Sequence, residues 1–268
     1  MNDSVLITGG SSGIGYEISR HFARGGFRIL WVAKPEAELI AAAHDLRGEF
    51  PTLSLDYLAL DLTEEGAPEQ VQQWVLEQGG VSVLINNAGI GSYGFLQDTQ
   101  LEKEKTMIQL NVLAVYQLTR LFLDQMLAAQ QGTIINICSI SAFYPVPRMN
   151  TYAATKAFIQ HFSLGLQQEL TLQRSPVRVM TVFPAAIRDT PFLVAADMEG
   201  VKTFDGLVTT TAEEVARDVW KGFTQGKTKV LTGAKIRWLY AFKWLIPSKL
   251  QQWMVTRETV RNTTSHAK

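Results

Sequence analysis

Six short runs of aliphatic and β-branched residues recur through the first 182 positions, each followed by a longer stretch of helical length. The runs are Val5–Thr8, Phe27–Val32, Leu55–Leu60, Val81–Ile85, Thr133–Ile137 and Val177–Val182. Most of their positions are apolar rather than alternating apolar and polar, as expected of strands buried on both faces, and a parallel sheet covered by helices requires such strands. The intervening segments 13–25, 36–49, 67–78, 101–129 and 152–173 read as helices. Pro68 sits near the start of the third, where its missing N–H costs little. Strand-then-helix repetition predicts a doubly wound α/β sheet with right-handed crossovers. Thr211-Ala-Glu-Glu-Val215 opens one more helix with acids at its positive end, and Lys229–Thr232 reads as a last strand.

No linker, repeat or low-complexity tract divides the 268 residues. The expected organisation is one domain over 1–235, with 236–268 a C-terminal helical extension of it. The chain is 46% hydrophobic and 19% charged, which excludes disordered and collagen-like chains. Its 25 basic and 25 acidic residues cancel, so the whole chain has no bias toward nucleic acid. Cys138 is the only cysteine and cannot form an internal disulfide, and Met1–Ser4 lacks the basic and apolar regions of a secretory signal; a cytoplasmic setting is expected. No apolar run reaches the roughly 18 residues of a membrane span.

The first strand leads into Thr8-Gly-Gly-Ser-Ser-Gly-Ile-Gly15, directly before a helix. Glycines there let backbone N–H groups approach a pyrophosphate at the positive helix end, which makes Gly9, Ser11, Ser12, Gly13, Ile14 and Gly15 candidate cofactor contacts. The spacing departs from GxGxxG, and a tight structural turn is the alternative reading. The second strand ends Val32-Ala33-Lys34, with a cation where an NAD-preferring site carries an acid. Lys34 could neutralise a 2′-phosphate, so NADP(H) is expected over NAD(H). A lone lysine is otherwise a solvated loop residue.

Tyr152 and Lys156 stand four residues apart at the start of a helix and share a face. A free tyrosine, with pKa about 10, is a poor acid or base near neutrality. A nearby ammonium and an oxidised nicotinamide would favour the phenolate and bring it toward the working range. Taken with Thr8-Gly-x-x-x-Gly-x-Gly15, Asp61-Leu62, Asn86-Asn-Ala-Gly89, Asn111 and Ser139, this pair makes the chain resemble the short-chain dehydrogenase/reductase family over residues 4 to 232. Within that family, Met107–Leu113, Tyr152–Phe158 and Trp244–Pro247 resemble a bacterial branch of broad reductases grouped as DltE-like.

The resemblance implies a Rossmann-like fold and an NADP-dependent oxidoreductase acting on a CH–OH or carbonyl group. Tyr152 would exchange the proton, Ser139 hold the reacting oxygen, Lys156 bind the nicotinamide ribose and tune Tyr152, and Asn111 hold a water leading to Lys156. Asp61 and Leu62 would flank the adenine, and Asn87, Ala88 and Gly89 pass its ribose. Pro184, Ile187 and Thr190 would reach the nicotinamide amide and phosphates. Two departures stand out: Ala185 replaces a usual glycine, and Thr190 falls one residue late. Alanine at 185 would be strained if the backbone there took glycine-only angles. The resemblance also implies that helices 101–129 and 152–173 pair across subunits, in a homodimer or homotetramer. No metal is expected.

Phe143, Tyr144, Val146 and Met149, with Pro191, Phe192, Leu193, Met198 and Phe204, suggest an apolar pocket. Ser139, Ser141, Tyr144, Met149 and Phe192 are the candidate substrate contacts, for a hydrophobic ketone, aldehyde or secondary alcohol. A dinucleotide-binding sensor or scaffold without turnover is the other class, against which the set Asn111, Ser139, Tyr152 and Lys156 argues. The zero net charge hides an asymmetry. Residues 227–268 hold nine Lys or Arg against Glu258, for +8, and three of the six tryptophans. Such a basic aromatic end suits peripheral membrane contact; a lid or a subunit contact is the alternative, and nucleic acid is not expected.

Overall fold

The computed structural model describes residues 3–205, 209–233, 236–238 and 247–260. Strands β1 (Ser4–Thr8), β2 (Arg28–Ala33), β3 (Leu55–Ala59), β4 (Val83–Asn86), β5 (Thr133–Ile137), β6 (Arg178–Phe183) and β9 (Lys229–Leu231) form one sheet. Its order is β3-β2-β1-β4-β5-β6-β9, and every pairing is parallel. The order reverses between β1 and β4, so a crevice opens beyond their carboxyl ends, the usual ligand position in such sheets.

The central strands are mostly apolar because each supplies both faces. Val5 and Ile7 of β1 join a core with Ile18, Phe22, Trp31, Leu39 and Val219, while Leu6 between them joins Val71, Phe122, Ile134 and Val179 on the other face. The first core is covered by α1 (Gly13–Arg24), α2 (Glu36–Glu49) and α9 (Ala212–Thr224), the second by α3 (Ala67–Glu77), α5 (Val115–Ala128) and α6 (Asn150–Leu172). Thr211 caps α9 through a reciprocal contact with Glu214, and Asp189 accepts the Ala212 N–H at 3.0 Å.

The expected single helix over 101–129 is interrupted. It runs as α4 (Leu101–Ile108), a π turn over Gln109–Ala114 and then α5. A π turn inserts a residue into the helical ladder and re-aims the side chains beside it, here Asn111. The segment 185–210 carries β7 (Ala186–Ile187) paired in parallel with β8 (Thr209–Thr210), and the short helices α7 (Phe192–Ala195) and α8 (Lys202–Asp205).

Pro247 restarts the chain into α10 (Ser248–Glu258). Gln252 Nε2 donates to the Pro145 carbonyl at 3.2 Å, Thr203 Oγ1 to that of Glu258 at 2.9 Å, and the Lys202 N–H to that of Val260 at 3.2 Å. Tyr93 Oη donates to the Thr259 carbonyl at 2.6 Å. The apolar spacing of Leu250, Trp253 and Met254 faces outward, while Val255 packs inward. Residues 239–246 and 261–268 of the basic aromatic end lie outside the described residues. Among those described, no helix is long and apolar enough to cross a membrane.

Candidate active site

The glycine-rich turn is built around the sheet's reversal point. Thr8 Oγ1, at the end of β1, accepts the backbone N–H groups of Asn87 and Ala88 at 3.0 Å each. Asn87 Nδ2 returns the contact to the carbonyls of Thr8 and Gly9 at 2.9 and 3.0 Å. Gly9 and Gly13 hold φ of +65° and +51°, which disfavour any side chain. A Cβ on Gly15 would lie 2.1 Å from the Gly9 carbonyl oxygen. Ser12 makes no side-chain cap on α1 and no acid lies in its first turn, so the terminal N–H groups are left for an external anion. The Thr190 methyl would touch a Cβ on Gly13 at 3.2 Å, so Thr190 stands over the turn despite its displaced position in sequence. This cradle fits a dinucleotide pyrophosphate.

Lys34 is not the isolated cation that the sequence suggested. Its Nζ donates to Asp61 Oδ2, and Asp61 Oδ1 accepts the Thr63 N–H and hydroxyl at 2.9 and 2.8 Å. Partial burial works to raise the Asp61 pKa, but the bonds from Lys34 and Thr63 outweigh it and hold the carboxyl below its ordinary value. Leu62 beside it is buried.

Beyond β5, Ser139 caps a 3₁₀ turn over Ile140–Phe143, accepting the Ser141 N–H at 3.1 Å. Tyr152 and Lys156 are buried on one face of α6, with Lys156 Nζ 5.7 Å from the Tyr152 ring centroid and donating to the Ile137 carbonyl at 3.1 Å. Burial pushes the Tyr152 phenol well above its ordinary pKa, against a hydrogen bond with the Ser139 side chain that lowers it. Burial also pushes the Lys156 ammonium down. Asn111 is fully enclosed: its Oδ1 accepts the Ile90 N–H at 3.0 Å, and its Nδ2 donates to the Ile90 carbonyl at 2.8 Å and to Thr155 Oγ1 at 3.2 Å. Gly89 leaves space beside this group, since a Cβ there would sit 3.2 Å from Asn111 Oδ1 and 3.5 Å from Lys156 Nζ.

A model of the short chain dehydrogenase family matches residues 3–199. The chain belongs to that family. The NADP-dependent 3-hydroxy acid dehydrogenase YdfG of Salmonella typhi is 31% identical over 222 residues, 81% of this chain and 87% of the relative. The very-long-chain 3-oxoacyl-CoA reductase-A of Danio rerio is 35% identical over 177 residues, 62% of this chain and 52% of the reductase; the match thus spans about half of that relative. Among solved structures, a short-chain dehydrogenase from Sphingobium yanoikuyae in complex with NADPH superposes with a TM-score of 0.79 at 28% identity, covering 98% of both chains. This short-chain dehydrogenase is accordingly an oxidoreductase of alcohol or carbonyl groups that uses a pyridine nucleotide.

In the dehydrogenase, the departure at Ala185 is harmless: the residue is buried and does not take a positive φ. The expected glycine-type strain is absent because the backbone never enters the left-handed region. Pro184 and Ile187 are buried beside it, and the Pro184 carbonyl accepts the Ile140 N–H at 3.0 Å. Met149, Val146, Met198, Phe192, Leu193 and Phe204 share one apolar cluster with Met107 and with Val255 of α10, whereas Phe143 lies in another, stacked on Phe183 with ring centroids 4.8 Å apart. Phe192 packs on Tyr152, ring centroids 5.6 Å apart. Tyr144 is half-buried, and Ser141 Oγ is buried without a partner among the described residues.

Three contributors escaped the sequence reading. Thr8 staples the two central strand ends. Thr155 links Asn111 to the Tyr152 carbonyl, to which its Oγ1 donates at 2.7 Å. Its signal lay inside Tyr-Ala-Ala-Thr-Lys, three residues after the tyrosine. Glu104, buried on α4 against Ser92, had no signal.

Proposed function

We propose that the enzyme transfers hydride between NADP(H) and a hydrophobic ketone, aldehyde or secondary alcohol, with Tyr152, Lys156, Ser139 and Asn111 as its proton relay. The observation that carries this reading is the burial of Tyr152 and Lys156 together, with the Ser139 hydroxyl on the phenol. When bound, the nicotinamide supplies or accepts the hydride. In the reductive direction Tyr152 gives its proton to the carbonyl oxygen, and Ser139 donates a hydrogen bond to the charge developing there. The Lys156 ammonium, close to the phenol ring, stabilises the phenolate left behind. Asn111 fixes the loop beside Lys156 and orders a water through which Tyr152 regains its proton.

Gly9, Ser11, Ser12, Gly13, Ile14, Gly15 and Thr190 take the pyrophosphate; Asp61 and Leu62 take the adenine, and Asn87, Ala88 and Gly89 its ribose. Pro184 and Ile187 take the nicotinamide amide. The preference for NADP(H) rests on Lys34, which would turn from Asp61 to a 2′-phosphate. Ser141, Tyr144, Met149 and Phe192 contact the substrate with Ser139. The apolar wall and the long acyl chain named for the Danio relative favour a hydrophobic carbonyl compound. Residues 1–235 form the catalytic domain and 236–268 its extension, which closes over the wall through α10 and offers Leu250, Trp253 and Met254 to an anionic lipid surface. Exposed Leu113, Tyr116 and Phe158 on the α5 and α6 side suit a homodimer or homotetramer.

The test is NADPH oxidation against a panel of carbonyl compounds from short and charged to long-chain ketones. Turnover of the apolar members, lost in Tyr152→Phe, is expected. NADPH binding without turnover of any member would favour the sensor reading instead.

A further inference from the structure

Glu104 is nine-tenths buried on α4, 8% exposed, and its Oε1 accepts the hydroxyl of buried Ser92 at 2.5 Å. Its Oε2 is enclosed and meets no partner among the described residues. Burying a carboxyl for one hydroxyl is expensive, so the site calls for more than space filling. Seven residues further along the same helical run, Asn111 grips both backbone groups of Ile90. Glu104 and Asn111 therefore hold alternate residues, Ile90 and Ser92, of the segment following β4. Gly91 between them is hemmed in: a Cβ there would lie 2.8 Å from Phe192 Cζ and 3.0 Å from Met198 Cε. On the other side, Asn111 continues through Thr155 to the carbonyl of Tyr152.

We propose that Glu104 is a positioning residue for the reaction: through Ser92 it clamps the segment 90–92, so that Asn111 stays aligned with the Tyr152 helix and Phe192 stays seated over the phenol. This rests on the relay proposed above. A lost clamp lets the Ile90 end of the segment swing, which loosens Asn111 before it touches the glycine-rich turn. The effect belongs on turnover rather than on cofactor binding.

The test uses the full chain with Ser92→Ala, Glu104→Leu, their double variant and the conservative Glu104→Gln, which keeps an acceptor for Ser92. Hydrogen exchange is followed at the Ile90 amide and at core amides of β5, and kinetics with NADPH and 2-decanone. The expected result is exchange at Ile90 about tenfold faster in Ser92→Ala and Glu104→Leu, with β5 unchanged. A fall in kcat of about tenfold at unaltered KM for NADPH should accompany it. The double variant should resemble either single one, and Glu104→Gln the wild type. Unchanged Ile90 exchange in both single variants, or equal acceleration at Ile90 and β5, would overturn the clamp. Should Glu104→Leu not fold, Ser92→Ala carries the same readout. Retained turnover in Tyr152→Phe would defeat the relay instead, while the exchange result still judges the clamp.

Discussion

Adding a single methyl group at Gly15 tests the cofactor cradle at its tightest point. The Cβ of Gly15→Ala would lie 2.1 Å from the Gly9 carbonyl oxygen and 2.7 Å from Asn87 Nδ2, where ordinary contact begins at 3.4 Å. The obstruction is backbone, and it cannot rotate away as a side chain would. Gly9 is also held by Asn87, whose Nδ2 donates to the same carbonyl at 3.0 Å. Relief therefore requires the turn or the first turn of α1 to move by about 1 Å, at the cost of overpacking, about 1–3 kcal/mol. A displacement of that size costs an N–H bond to the charged pyrophosphate, about 1.5–3 kcal/mol, or about 100-fold weaker binding at the upper end. The other end of α1 keeps its place through Phe22, which packs edge-on against Trp220 of α9 at 5.1 Å, so the fold survives. NADPH titration by fluorescence, with a melting curve on the same sample, separates the two losses. Gly165→Ala is the control: nothing lies within 4 Å of its Cβ position in the middle of α6, so helix propensity should stabilise the protein by about 1 kcal/mol with unchanged NADPH binding. Wild-type NADPH affinity in Gly15→Ala would refute the placement of the pyrophosphate on this turn.

Other perturbations separate the remaining parts of the site. Tyr152→Phe should cut turnover at least 100-fold, read as initial rate of NADPH oxidation. The folded phenol pKa lies above the unfolded value of about 10. Stability from keeping the phenol protonated is complete below that value and is lost as pH rises through the folded value. In denaturant melts between pH 9 and 12, wild type should therefore lose stability to the variant at the alkaline end, and parallel curves would contradict the burial. Lys34→Ala should raise KM for NADPH about tenfold and leave NADH unaffected; an equal change for both would remove Lys34 from 2′-phosphate recognition. Phe192→Ala uncovers Tyr152 and should improve kcat/KM for branched ketones relative to short ones, measured as a ratio within one panel. An unchanged ratio would place the ring outside the substrate path.

What the sequence disclosed depended on how far each residue's partner lies along the chain. β1, β2 and β4 to β6 could be read because burial on both faces leaves mostly apolar runs, although the bond from Asn86 in β4 to Asn136 in β5, at 2.8 Å, shows in neither run. Tyr152 and Lys156 were legible because they are one helical turn apart. The contacts that set their surroundings reach further: Asn111 binds Ile90 across 21 positions, Lys34 finds Asp61 across 27, and Thr8 meets Ala88 across 80. None of these leaves a period in the sequence. The π turn that aims Asn111 inward likewise adds one residue to a helix whose apolar spacing still reads as continuous, so periodicity shows a helix and misses its offset. α10 makes the same point in reverse. Its spacing defined a stripe at Leu250, Trp253 and Met254, but the stripe faces outward because hydrogen bonds from Gln252, Thr203 and Tyr93 and the packing of Val255 fix the opposite side. A helix is oriented by the partners that satisfy it, and an apolar stripe alone states only that some partner is required.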